Sequence, residues 1–514
     1  MQAVTKLVTL PLHGVAATRR LEQQASLSLA PHTLMQRAGL AVARLSLALA
    51  PHAQRFWIAC GPGNNGGDGL EAAIHLHQWG KTVVVTWLGA ENTAKVPADA
   101  LASWKRAQAA GVPFANVAPV EYDFAIDALL GIGAKPRSND VHSTQLDKWL
   151  ALLLASDKPV LAIDIPSGLD ADTGISSIAP ELIADPARQQ RAASRFTLSL
   201  LTLKPGLLAA HGKDRAGQLW WDDLGVTGVS TQTPDAWLLG QDRVESRSRS
   251  QAAHSSHKGS FGDVAILGGE SGGTTHMAGA ALLAGRAALH SGAGRVFVAL
   301  LGNTGLTVDP LQPELMFRAP DSLDLKSQVI VCGCGGGDAV AGVLPRVLSS
   351  AVAAVLDADA LNAIARDTQL QTQLRTRQSR GYQTVLTPHP LEAARLLGNN
   401  TADVQANRLE AARQLADRFQ CVVVLKGSGT VIAAPGQVPV INSTGNARLA
   451  TAGTGDVLAG MLGAELARGQ TAFEAACGAV FWHGQLADDW NVCWPGAPLT
   501  ASLLAQNHQA DLKQ

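Results

Sequence analysis

Three loops in the N-terminal half place carboxylates or amides where an apolar run ends. The first is GPGNNGGDG, Gly61 to Gly69, directly after RFWIAC. Gly61, Gly63 and Gly66 satisfy G-x-G-x-x-G between an expected strand and an expected helix, the setting of a dinucleotide-binding turn. A nicotinamide oxidoreductase also needs an acidic residue at the end of the next strand to hold the ribose, and TVVVTWLGAEN offers none before Glu91. Ordinary dehydrogenase chemistry is therefore disfavoured. Asn64, Asn65 and Asp68 add polar atoms that a plain turn does not need, although Asp68 equally suits a cap on a helix beginning near Gly69. Asp127 closes FAI and Asp164 closes VLAI. At the carboxyl ends of neighbouring parallel strands, Asn65, Asp127 and Asp164 would converge on one crevice, there to hold a cation, a ribose or a reacting proton.

The C-terminal half carries a different set. VVVLKGSGT ends a β-branched run with Lys426, Gly427, Ser428, Gly429 and Thr430. Amides freed by glycines, together with one lysine, make a phosphate cradle without the Walker pattern; the alternative is an ordinary strand-to-turn transition. In TAGTGDVLAGMLG, Gly453 and Gly455 free the backbone at a helix N-terminus, where anions are stabilised, and Asp456 falls in the first turn. Such a carboxylate serves as a dipole-favoured cap, or as the base in a phosphoryl transfer to a hydroxyl. His389, between Pro388 and Pro390, reads equally as a structural histidine satisfying a carbonyl and as a ligand contact. Asp357 and Asp359 in VLDADALN orient a nucleotide or a magnesium ion, or cap a helix. His75 and His77, two apart on a helix, face different ways and make no metal pair. Cys332 and Cys334 lack a second Cys/His pair, which disfavours zinc.

Strands must alternate with helices to position these loops. RFWIAC, KTVVVTWLG, FAIDALLGIG and KPVLAIDIPSG are strand-like, and GLEAAIHLHQWG between the first two is helix-like. The same alternation resumes with DVAILGG, RVFVALLG, QVIVCGCGGG, AAVLDADALN, YQTVLTPHP and CVVVLKGSGT. Two α/β domains with mostly parallel sheets follow, at residues 1–225 and 237–514, with the turn-rich 226–236 as a linker. The 514 residues are long enough for this, and 46% hydrophobic with 51 glycines suits buried strands and tight turns. A net charge of −1 without a basic, aromatic-interleaved run argues against nucleic acid or an anionic membrane. Six scattered cysteines read as reduced thiols in the cytoplasm. Neither a signal peptide nor a membrane span is expected.

The motifs LMQRAG, GPGNNGGDGL, DALLGIG and DIPSGLDADTG, in that order over roughly Leu21 to Leu224, resemble the epimerase domain of NAD(P)H-hydrate repair enzymes, the YjeF N-terminal family. That resemblance implies a Rossmann-like parallel three-layer sandwich. It implies that Asn64, Asn65, Gly66, Gly67 and Asp68, together with Gly131, Ile132, Gly133, Ala134, Lys135, Pro136 and Arg137, line the hydrated-nucleotide site. Asn65, Asp127 and Ser167 would supply oxygens to a potassium ion, and Asp164 would be the acid/base. The segment 176–204 is longer and less regular than in the family.

The second half resembles the ribokinase-like superfamily in GTGD. HKGSFGDVAILGG, MAGAALLAGRAALHSGAGRV, VLDADALN and TPHPLEAARLL narrow the likeness to ADP-dependent NAD(P)H-hydrate dehydratases, over about Trp237 to Leu486. By that resemblance, Lys426 to Thr430 and Gly455 bind ADP, and Ala280, Gly337, His389 and Asp456 surround the hydrate. A magnesium ion accompanies the nucleotide, and a homo-oligomer is implied. Leu391 stands where the family usually has Gly in TPHPGE, and GCGGGD replaces the usual GPGLG. The implied reaction converts the two epimers of hydrated NADH or NADPH and dehydrates the S form with ADP, giving AMP and phosphate. Two other readings stay open on the residues themselves: a small-molecule kinase, since GTGD is shared by several, and a non-catalytic ligand-sensing module.

Overall fold

The computed structural model describes residues 1–89, 93–133, 141–178, 194–228, 232–244, 253–272, 275–302 and 305–506. The chain separates into two compact units: residues 1–5 with 11–236, and residues 6–10 with 237–514.

In the first unit, apolar runs too short for helices become strands of a single sheet. Its order is Gln2–Ala3, Gln218–Asp222, Arg195–Leu200, Val160–Ile163, Phe124–Ala128, Arg55–Cys60, Thr82–Trp87 and Phe114–Ala115. Every pairing is parallel except that of Gln2–Ala3, which is antiparallel. Successive side chains of a strand point to opposite faces. Phe56, Ile58 and Cys60 accordingly join one buried cluster with the helices Thr33–Leu49, Asn64–Gln78 and Ala98–Ala109. Trp57 and Ala59 join a second cluster with Val141–Ala155. A sheet covered on both faces reads as continuous apolar runs, which is how these strands read in the sequence. The three-layer sandwich expected here is present.

The second unit repeats the plan. Its sheet runs Met316–Phe317, Arg295–Gly302, Asp263–Gly272, Val329–Cys332, Ala353–Leu356, Gln383–Leu386, Val422–Leu425, Val431–Ala433, Val440–Asn442 and Ala236–Leu239. It is parallel as far as Val422–Leu425, and the next two pairings are antiparallel. Val329, Val331 and Val355 pack with the helices Ala278–His290, Thr454–Ala467 and Ala472–Cys493. On the opposite face Ile330, Cys332, Ala354 and Leu356 are fully buried. Five cysteines are buried and Cys493 is exposed, all as free thiols. Among the described residues, no helix is long and apolar enough to cross a membrane.

Candidate active sites

In an open parallel sheet, ligands bind beyond the carboxyl ends of the strands. A cleft of about 700 Å³ opens there in the first unit, lined among others by Glu22, Asn64, Asn65, Asp68, Gly131, Ile132, Gly133 and Asp164. Ala134 to Arg137, and Glu91, lie outside the described residues.

The loop that opened the sequence reading begins its helix earlier than expected. The helix runs Asn64–Gln78 with Gly63 at its N-cap, so Asp68 lies inside it and is no cap. The glycines permit close approach of the backbone. A Cβ on Gly61 would lie 1.8 Å from the Leu129 carbonyl oxygen, and one on Gly66 would lie 1.9 Å from that of Gly61. One on Gly67 would lie 2.5 Å from Met35 Sδ. The loop is thereby pressed against the neighbouring strand end, which brings Asn65 to Leu130 and Gly131, just past Asp127.

Asn65 Nδ2 donates to the Leu130 carbonyl at 3.1 Å, while its buried Oδ1 has no partner. The Leu130 amide donates to Ser167 Oγ at 2.9 Å, and that hydroxyl donates to Asp127 Oδ1 at 2.6 Å. Asp127 Oδ2 accepts from the Ser167 amide at 3.0 Å. Burial raises the Asp127 carboxyl above its ordinary range, against the opposing hydrogen bonds from Ser167. All three expected oxygen donors therefore sit around Leu130, one of them buried and unpartnered, a set suited to a hard cation.

Asp164 follows Val160–Ile163 with a left-handed φ of 64°. Only an over-determined surrounding holds a non-glycine residue there. Its amide donates to the Leu198 carbonyl at 2.7 Å, and its Oδ1 accepts from the Leu200 amide at 3.0 Å. The same oxygen is ion-paired with Lys204, which is wholly buried and also donates to the Leu200 carbonyl at 2.7 Å. Burial pushes the Asp68 carboxyl well up, and the charges of Asp164 and Glu22 add to it. Glu22 is likewise raised, by burial first and then by Asp164. The cleft thus gathers the carboxyl groups of Glu22, Asp68, Asp99 and Asp164, with Lys204 buried behind the last of them.

The second unit gathers its set in the same way. Asp357, at the end of Ala353–Leu356, occupies an N-cap position, yet its side chain does not cap. Its Oδ1 accepts instead from Thr387 Oγ1 and from Lys426 Nζ, each at 2.7 Å. Burial pulls Lys426 down, and the charges of Asp357 and Glu392 outweigh it, so the ammonium lies above its ordinary range. A Cβ on Gly455 would stand 3.5 Å from Lys426 Nζ, so the lysine faces the start of the helix Thr454–Ala467. Asp456 lies in that first turn, pushed up to about 6 by burial and then by Asp357. Ligand atoms of Cys334, Asp357 and Asp456 fall within 4.8 Å of one another. The spacing of Cys332 and Cys334 did not signal that gathering.

The remaining expected residues take definite places. His389 caps the helix Pro390–Leu397, its Nδ1 accepting from the amides of Leu391 and Glu392 at 3.1 and 3.3 Å. Its structural partners are thus amides and not the carbonyl expected of it. Gly337, at φ 52°, donates to Asp359 Oδ2 at 2.9 Å. Ala280 is buried beneath Gly335. Gly427 and Gly429 both have left-handed φ, Ser428 between them is exposed, and Thr430 Oγ1 donates back to the Gly427 carbonyl at 3.0 Å.

Comparison with known proteins decides between the readings left open. The family described as YjeF-related protein N-terminus matches residues 31–206, and that described as NAD(P)H-hydrate dehydratase matches residues 265–505. The bifunctional NAD(P)H-hydrate repair enzyme Nnr of Escherichia coli strain K12 is 36% identical over 490 residues, covering 91% of this chain and 88% of that protein. The chain belongs to the bifunctional NAD(P)H-hydrate repair enzymes. The ADP-dependent (S)-NAD(P)H-hydrate dehydratase of Neisseria meningitidis serogroup B is 42% identical over 260 residues, 49% of this chain and 84% of that one. A Bacillus subtilis structure described as ADP/ATP-dependent NAD(P)H-hydrate dehydratase is 32% identical, with a TM-score of 0.43, covering 50% of this chain and 91% of that one. The kinase and ligand-sensing readings give way to a repair enzyme with an epimerase and an ADP-dependent dehydratase.

Two residues of this repair enzyme escaped the sequence reading. Lys204 stands in TLKPG, and the signal was there: a lysine before Pro-Gly directly after an apolar run, where a charge has no solvent to face. Glu392, 4.0 Å from Lys426 and raised to about 6 by burial, hides as an ordinary helix residue in PLEAARLL.

Proposed function

We propose that residues 1–225 hold the epimerase activity and residues 237–514 the dehydratase activity, joined by 226–236. The observation that carries the reading is the meeting of Asp456 and Lys426 at the amide-rich start of Thr454–Ala467.

In the dehydratase half, Lys426 to Thr430 and Gly455 bind ADP, while Ala280, Gly337, His389 and Asp456 bound the hydrate. Hydroxide is a poor leaving group, and phosphate a better one. Asp456 takes the hydroxyl proton, the hydrate's oxygen bonds to the terminal phosphorus of ADP, and AMP departs. Amides at Gly453 to Gly455 and the Lys426 ammonium stabilise the transferred charge. The C–O bond then breaks with loss of a ring proton, releasing phosphate and the reduced nicotinamide. Magnesium, if it accompanies ADP, would supply positive charge to the transferred phosphoryl group. Among the residues gathered there, Asp357 is engaged by Lys426 and Thr387 and the Cys334 thiol suits a hard cation poorly.

In the epimerase half, Asn64 to Asp68 and Gly131 to Arg137 hold the nucleotide, and Asn65, Asp127 and Ser167 would hold potassium. Bound there, that ion supplies positive charge beside the ligand's anionic part. Asp164 moves the proton at the epimerising centre, with Lys204 fixing its carboxylate. The reading places the protein in the cytoplasm as a homo-oligomer, which fractionation and sedimentation test.

The deciding experiment supplies both NADH-hydrate epimers with ADP and follows NADH recovery by absorbance. Complete recovery faster than spontaneous epimerisation is expected. Rapid recovery of only half would overturn the epimerase assignment, and a stable phosphorylated product would overturn the elimination.

A further inference from the structure

Cys334 sits in GCGGGD, the stretch that departs from the usual GPGLG of the resembling family. Its side chain is fully buried. The backbone around it cannot swing. Gly333 and Gly335 have φ of 116° and 57°, a Cβ on Gly333 would lie 2.0 Å from the Asp357 carbonyl oxygen, and one on Gly335 would meet Met277 and Ala280. The Gly269 amide donates to the Cys334 carbonyl at 2.9 Å. The thiol is thereby aimed at the space it shares with Asp357 and Asp456.

We propose that Cys334 is a positioning residue of the dehydratase, its S–H donating to the Asp456 carboxylate and holding that base toward the substrate hydroxyl. The proposal rests on Asp456 being the general base. Burial pushes the thiol well above its ordinary range and the neighbouring Asp456 adds to this, so the group keeps its proton and has it to donate. A hydrogen bond to an ionised acceptor favours that form. Here it opposes the burial that raises Asp456. The other charges facing Asp456 are Asp357 and Asp359, which raise it, and Lys426, which lowers it. On the helix packed behind, His483 Nε2 lies 2.9 Å from the Thr454 carbonyl oxygen. Asp357 is already engaged by Lys426 and Thr387, and among the described residues no other side-chain donor is bonded to the Asp456 carboxylate.

The test measures kcat/KM of the full-length protein for the S hydrate with saturating ADP across the acidic limb of its pH profile. Cys334→Ala is expected to move that limb up by about half to one pH unit, roughly a threefold to tenfold loss below it, with the KM for ADP unchanged. Cys334→Ser restores a donor and should return the limb. Should Cys334→Ala fail to fold, Cys334→Val fills the space without a donor and reads the same limb. An unmoved limb in the donor-less variant, or a serine variant that behaves like it, overturns the proposal. Asp456→Asn separates the two levels. If it stays active, the general-base reading falls and this proposal with it; if it is inactive while the Cys334 limb does not move, only the positioning role falls.

Discussion

Asp456 is a carboxylate in the first turn of a helix, where it does not cap, and it has an unusual environment. Held at about 6 by burial and Asp357, it is protonated below that value and unable to accept the hydroxyl proton. Dehydratase turnover should therefore fall as the pH drops through about 6 and level off above it, read from rates of NADH recovery. Asp456→Asn is expected to lose about 10²-fold or more in kcat while retaining ADP in calorimetry. In the epimerase, Asp164→Asn should lose epimerisation by a similar factor, followed by chromatography of the two hydrates. Lys204→Met leaves the Asp164 carboxylate buried without its partner, at a cost of about 3–5 kcal/mol in denaturant unfolding of that half. Asp164 and Asp456 were legible because each ends a strand or begins a helix. Lys204 carried a signal in TLKPG but not its partner, and Cys334 carried none, because only the fold brings Asp164 to the one and Asp456 to the other.

At the scale of elements, the strands were legible because burial on both faces leaves an unbroken apolar run. The start of Asn64–Gln78 was not. Asn, Gly and Asp in succession favour a turn, and the docking of that segment on Leu129 and Met35 overrides the preference. The same contact makes a prediction. Gly61→Ala drives a methyl into the Leu129 carbonyl, so the first unit should lose about 1–3 kcal/mol and melt earlier, while the dehydratase keeps its activity. His389 gives a contrasting case, since its Nδ1 caps Pro390–Leu397. His389→Ala should cost about 1 kcal/mol of stability in the second unit, measured by thermal melting.

For the whole molecule, the sequence displays two α/β patterns and a turn-rich junction, yet nothing in KLVTL announces that Lys6–Leu10 belongs with the distant half. Thr9 donates through its amide and hydroxyl to Asp242 Oδ1 at 2.9 and 2.7 Å, and the Gln241 amide donates to the Lys6 carbonyl at 2.8 Å. These bonds join residues some 233 apart, a separation no local pattern encodes. They also bear on synthesis. At about 5–20 residues per second, Thr9 leaves the ribosome roughly 10 to 50 s before Asp242 exists to receive it. That leading segment therefore waits for its partners until the other half is made. An interrupted translation product ending near residue 230 would carry that segment bonded to water in place of Gln241 and Asp242, a strip of the missing half displayed on the finished one.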